Sequence, residues 1–180
     1  MKEKLQDLAK NLQGEFYSDA LLKALYATDA SVYRELPLAV ALPKTTEDLQ
    51  QLINFASKHN TSLIPRAAGT SLAGQCVGDG IVVDISKYFT KINQLNKKEK
   101  TVTLQPGVIR DDLNRFIEPY SLFFSPNTST SNRCMIGGMT GNNSSGTTSI
   151  KYGVTRDKII AMKCLLSDGS EVTFEAITPE

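Results

Sequence analysis

The chain has 180 residues, 41% of them hydrophobic and 22% charged, with a formal net charge of +1. That length suits one domain with a substantial core and is too short for two large ones. The near-neutral balance supplies no general field for nucleic acid or acidic membranes, and no apolar run approaches the roughly 20 residues of a membrane span.

From the start of the chain, Met1 to Lys10 is polar and mixed in charge, unlike a signal peptide or an anchor. A cytoplasmic protein is expected, or one held peripherally at the inner membrane by other parts. Leu5, Leu8 and Leu12 recur at helical spacing, with Gly14 placed to stop the helix. A second short helix is expected over residues 19–26. Residues 38–42 form an apolar run ended by Pro43, a buried strand. Thr45 with Asp48 resembles a capping box, and Leu49, Leu52, Ile53 and Ala56 follow on one helical face. His59, the only histidine, falls where that helix should end, a solvated position rather than that of a ligand or base. Residues 62–65 and 80–85 read as two further strands, completing a βαβ unit.

After Asp84 the rhythm changes. Residues 91–95 and 101–105 predict a hairpin around the charged turn Lys97, Lys98, Glu99, Lys100. Leu113, Phe116 and Ile117 mark a helix ending near Pro119. Residues 161–166 and 171–174 predict a last hairpin, with Asp168 and Gly169 as its turn. The fold class expected is α+β: a small parallel βαβ part followed by a mixed or antiparallel part, divided at about residues 88 and 89.

Two segments carry chemistry. The first, residues 65–71 (Pro65, Arg66, Ala67, Ala68, Gly69, Thr70, Ser71), directly follows a strand. Its small side chains let a diphosphate approach the backbone, where successive N–H groups form a concave anion site. A plain strand-ending turn is the competing reading. The P-loop is excluded by the lack of GK[ST], and the Rossmann fingerprint by the lack of GxGxxG before a helix. The second segment, residues 126–146, is almost free of large side chains, and loops of that length inside compact domains are usually functional. The cysteines Cys76, Cys134 and Cys164 are far apart and odd in number, which argues against a disulfide framework or a zinc site. No metal is expected.

The order PRAAGTSLAGQ, SPNTSTSNRCMIGGMTGNNSSG, KYGVTRDKI and LLSDGS resembles the FAD-binding domain of the vanillyl-alcohol oxidase/p-cresol methylhydroxylase family. The nearest branch is that of the D-lactate, glycolate and D-2-hydroxyglutarate dehydrogenases. The stretch YATDASVYRELPLAVALP resembles long bacterial members fused to an iron–sulfur reductase. The resemblance implies that residues 65–71 hold the FAD diphosphate, with Gln75 nearby. It also implies that Pro126, Asn127, Cys134, Met135, Ile136, Gly137, Gly138, Asn142, Asn143, Ser144, Ser145 and Gly146 line the ribityl chain and the ring edge. Tyr152 and Gly153 occupy a supporting YG position.

Relatives with flavin joined to histidine often carry that residue inside the first loop, where this chain has Thr70, so non-covalent FAD is expected. Cys134 lies near a region where some relatives attach flavin, but a buried small hydrophobe is the expected role. By resemblance the chain is the N-terminal part of a longer flavin-dependent dehydrogenase or oxidase, with the substrate-binding cap domain and catalytic base elsewhere. The expected reaction is oxidation of a D-2-hydroxy acid, with electrons passed to a quinone, a cytochrome or an iron–sulfur cluster in the full protein. A non-catalytic FAD or nucleotide-binding module, and a same-fold FAD enzyme with another substrate, are the alternatives.

Overall fold

The computed structural model describes residues 1–176. The chain forms two compact units. One contains Met1–Pro65, Ser71–Asp84 and the chain from Ile159 onward; the other contains Arg66–Thr70 and Ile85–Lys158.

The first unit opens with α1 (Lys2–Asn11), β1 (Glu15–Tyr17) and α2 (Ala20–Leu25), followed by β2 (Ala39–Leu42), α3 (Thr46–His59), β3 (Leu63–Arg66) and β4 (Ile81–Asp84). The sheet order is β1-β2-β4-β3, so the α3 crossover carries β3 past the place that β4 later fills. β2 and β4 are parallel, with Val40 opposite Val82. Every residue of both strands is buried, as expected when a parallel pair is covered on both faces. On one face Leu5 and Leu8 of α1 and Leu52 and Phe55 of α3 pack with Ala39, Ala41, Ile81 and Val83. Ile64, Cys76 and Val82 form a second cluster, with Tyr26 against it.

Asp48 ties these elements together. The capping box with Thr45 is present, and the fully buried carboxylate does more than cap. It accepts N–H groups from Gln13 at 2.8 Å, Gly14 at 3.0 Å and Lys44 at 2.8 Å. Gly14 therefore has a different role from helix stop. α1 ends at Asn11 through an extended Leu12, and a side chain at Gly14 would overlap the Leu42 carbonyl at the end of β2. β1 pairs antiparallel with β2, Phe16 opposite Ala41, an element that three residues of pattern do not announce.

The hairpin β7 (Ala161–Leu165) and β8 (Glu171–Glu175) joins this unit although it comes last in the chain. Gln50 of α3 donates to the Gly169 carbonyl at 3.4 Å. Asp168 accepts from the Ser170 N–H at 2.9 Å, and Gly169 has φ of 83°, the expected turn chemistry.

The second unit holds the hairpin β5 (Ile92–Asn96) and β6 (Thr101–Leu104), then α4 (Arg110–Ile117) and a 3-10 turn over Glu118–Tyr120. It continues with α5 (Ile136–Asn142), α6 (Ser149–Tyr152) and a 3-10 turn over Thr155–Lys158. Val108, Leu113, Ile117, Cys134, Ile136 and Met139 are its core, with Leu95, Leu104 and Phe124 packed around them. Among the described residues no helix is long and apolar enough to cross a membrane.

Candidate functional site

The second unit places the first loop beside α5. The Arg66 carbonyl accepts the Ile85 N–H at 3.0 Å, which fixes where the loop leaves the strand. Beyond it, the N–H groups of Ala67, Ala68, Gly69 and Thr70 have no protein acceptor among the described residues. Four successive donors around a glycine with φ of 64° are the pattern from which backbone anion sites are built. The Arg66 side chain folds under Gly69: a Cβ there would lie 2.5 Å from Nη2. A Cβ at Gly138 would lie 3.4 Å from the Ala67 Cβ, so the two glycine-bearing segments meet across a gap that larger side chains would fill. Gly141 faces open space, with nothing within 4 Å of where a Cβ would stand.

Ser71 and Gln75 belong to the first unit, where the Ser71 hydroxyl donates to Gln75 Oε1 at 2.8 Å. Pro65 is the exposed third residue of β3.

The second segment is not one long loop. Its middle is α5, set in place by backbone bonds from Ile136 to the Val108 carbonyl at 2.9 Å and from Gly137 to the Pro106 carbonyl at 2.7 Å. A Cβ at Gly137 would lie 2.5 Å from Pro106 Cβ, so this glycine permits close packing on Pro106. Met135 precedes the helix as its N-cap. Cys134 and Ile136 bury their side chains in the core, which leaves only their backbone for a ligand. Cys134 Sγ sits 3.2 Å from Thr128 Oγ1 and 3.5 Å from Met139 Sδ.

After α5 the chain turns sharply. Asn143 takes a left-handed φ of 48°, and its Oδ1 accepts the Arg156 N–H at 3.0 Å. Asn142 Nδ2 donates to Ser144 Oγ at 3.0 Å, and Ser145 is exposed. Gly146 donates to Ser149 Oγ at 3.1 Å, and a side chain on it would overlap the Asn127 carbonyl. Pro126 is fully buried. The turn after α5 is thus pressed at Gly146 against the backbone of Asn127.

Two supports were not among the expected site residues. Arg110 donates through Nε to the Pro126 carbonyl at 3.1 Å and through Nη2 to the Phe124 carbonyl at 3.1 Å, while its own N–H reaches the Cys134 carbonyl at 3.0 Å. Thr155 is fully buried and holds the Ser144 carbonyl twice, by its hydroxyl at 2.6 Å and its N–H at 3.1 Å. Nothing local marks Arg110, since an arginine in a helical first turn opposes the macrodipole and reads as a surface residue. Thr155 lies within KYGVTRDKI, so the resemblance points to its segment without giving its role. The only histidine stands apart from this chemistry. His59 ends α3, with Nδ1 3.3 Å from Lys4 Nζ, and its pKa is lowered by burial and by the charges of Lys4, Lys58 and the N-terminus.

The FAD binding domain family matches residues 37–175. The chain is 38% identical to a D-2-hydroxyglutarate dehydrogenase of Haemophilus influenzae over 177 residues, covering 96% of this chain and 17% of that protein. It is 35% identical to the glycolate oxidase subunit GlcD of Bacillus subtilis, covering 82% of this chain and 32% of that one. The chain therefore spans a minor part of each of these relatives. Among solved structures, p-cresol methylhydroxylase with substrate bound matches with a TM-score of 0.82 at 16% identity, over 96% of this chain and 35% of that one. That likeness is one of fold, and it agrees with the α+β architecture expected.

Proposed function

Since the chain belongs to the FAD binding domain family, we propose that it holds FAD without a covalent bond, with the diphosphate on residues 67–70 and the rest of the cofactor along residues 126–146. The observation that carries this is the row of four N–H donors without protein acceptors, set beside the side-chain-free Gly138. Donors fixed before the ligand arrives lose little freedom on binding, and an anion repays each of them with a charge-assisted bond. Thr70 can add a hydroxyl donor.

FAD, when bound, supplies a ring that accepts a hydride. This chain's part is to bind and orient it. Arg110 and Thr155 hold the backbone of the second segment from two sides, and Gly146 lets that segment close on Asn127. We further propose that the whole protein oxidises a D-2-hydroxy acid, the substrate class named by relatives described as D-2-hydroxyglutarate dehydrogenase and D-lactate dehydrogenase. An electron carrier such as a quinone, a cytochrome or an iron–sulfur centre would then reoxidise the flavin. No residue of this chain is assigned as the catalytic base.

Reconstitution tests the binding mode. The full-length protein should take up FAD near one per chain and release it intact when denatured. Flavin that stays on the polypeptide after denaturation would refute the non-covalent assignment.

A further inference from the structure

Residues 122–128 form neither helix nor strand, so their backbone groups must find partners outside a regular ladder. α4 supplies several of them. Asn114 Oδ1 accepts the Phe124 N–H at 2.7 Å, and its Nδ2 donates to the Phe124 carbonyl at 3.4 Å. Arg110 Nη2 reaches the same carbonyl and Nε the Pro126 carbonyl, both at 3.1 Å, while Nη1 donates to Asp111 Oδ1 at 2.9 Å. Asp111 holds the chain further on: its N–H donates to the Ser131 carbonyl and its Oδ2 accepts the Ser131 hydroxyl, both at 3.2 Å. All of these residues belong to the second unit.

A guanidinium carries its donors in a rigid planar fork, and here Nε and Nη2 together span the carbonyls of Phe124 and Pro126. That hold fixes more than the carbonyls. In a trans peptide the C=O of one residue and the N–H of the next share a plane and point in opposite directions. The Pro126 carbonyl points to Arg110, so the Asn127 N–H points away from it. The Ser125 N–H is turned away from Arg110 in the same manner by the hold on Phe124. Neither N–H has a protein acceptor among the described residues. Ser125 is buried and Asn127 half-buried, so of the two it is Asn127 that a ligand can meet.

We propose that Arg110 is a positioning residue for the riboflavin part of FAD: its fork sets the Pro126–Asn127 peptide so that the Asn127 N–H donates to an acceptor on that part of the cofactor. The inference rests on the reading of residues 126–146 as the segment that holds FAD beyond its diphosphate. Arg110 acts through the peptide and not on the ligand. A donor held in its bound direction before the ligand arrives avoids the cost of ordering it afterwards. A lysine cannot reproduce the hold, because an ammonium on a flexible stem lacks the planar fork.

The test uses the flavin-free full-length protein with Arg110→Met and Arg110→Lys. FAD and ADP affinities are read by titration, the absorption spectrum of the bound flavin reports the ring's surroundings, and thermal unfolding reports the fold. Arg110→Met should weaken FAD by roughly tenfold, while ADP, which has the diphosphate but no flavin, stays within about twofold of the parent. The spectrum of the bound flavin should move toward that of free FAD. Arg110→Lys should lose nearly as much FAD affinity although it keeps the charge. If the methionine variant does not fold, the lysine variant is judged by the same readouts. Equal losses for FAD and ADP would overturn the proposal, and so would unchanged FAD affinity in either folded variant. Gly138→Leu separates the two readings. If FAD affinity survives that substitution, the cofactor does not lie between the two glycine-bearing segments; if it is lost while the Arg110 variants bind FAD normally, only the role of Arg110 falls.

Discussion

Gly69 and Gly138 place different demands on a side chain. At Gly69 the backbone is left-handed, with φ of 64°, and the nearest obstacle is the flexible tip of Arg66. Gly69→Ala should therefore cost about 1–2 kcal/mol of conformational strain, and a β-branched residue more. Any loss of FAD there mixes strain with steric exclusion. Gly138 has no positive φ, and its open side faces Ala67 at ordinary contact distance. Gly138→Leu should leave thermal stability nearly unchanged and lower FAD affinity by tenfold or more, about 1.4 kcal/mol, which titration of the flavin-free protein would measure. Gly137 suits neither purpose, because its missing side chain is packed against Pro106 and a substitution there would disturb the core. Thr155 offers a second test. Thr155→Val keeps the volume but removes the 2.6 Å hydrogen bond to the Ser144 carbonyl. It should cost about 1–3 kcal/mol in thermal unfolding and weaken FAD binding as well. Unchanged affinity in a destabilised variant would mean that the turn after α5 does not contact the cofactor.

At the level of elements, what was legible in the sequence followed from how local each signal is. The capping box and the apolar stripe of α3 are both written within fourteen residues, and the helix appears as read, Thr46–His59. The strand β1 is three residues long and exists because β2 offers it an edge, so no pattern within Glu15–Tyr17 could announce it. α5 was hidden for the opposite reason. Three of its seven residues are glycine, each costing about 1 kcal/mol relative to alanine in a helix, and the burial of Ile136 and Met139 outweighs that propensity. The first loop was legible because small residues after a strand have a local meaning. Arg110 was not, since its side chain holds the carbonyls of Phe124 and Pro126, fourteen and sixteen residues further along the chain. Asp48 shows both levels. Its helix-capping role was readable, but its bonds to Gln13 and Gly14 join α1 and β1 to α3. Asp48→Ala leaves the part-buried N–H groups of Gln13, Gly14 and Lys44 without their acceptor and should cost about 3 kcal/mol. A melting temperature close to the parent's would show that this joint is dispensable.

For the whole molecule, the two units divide the work. The first is a covered parallel sheet with its helices, stabilised by a conventional apolar core. The second gathers residues 66–70 to α5 and contains most of the residues assigned to the cofactor. The membership in the FAD binding domain family fixes the cofactor class, and this chain covers 17% of the D-2-hydroxyglutarate dehydrogenase and 32% of the glycolate oxidase subunit to which it is similar. The most direct measurement is a titration of the flavin-free full-length protein with FAD and with riboflavin, which lacks the diphosphate, in the parent and in Gly138→Leu. The diphosphate cradle predicts tight, near-stoichiometric FAD binding by the parent, far weaker riboflavin binding, and a variant whose FAD affinity falls toward its riboflavin affinity. A parent that binds riboflavin as tightly as FAD, or a variant that keeps full FAD affinity, would contradict it.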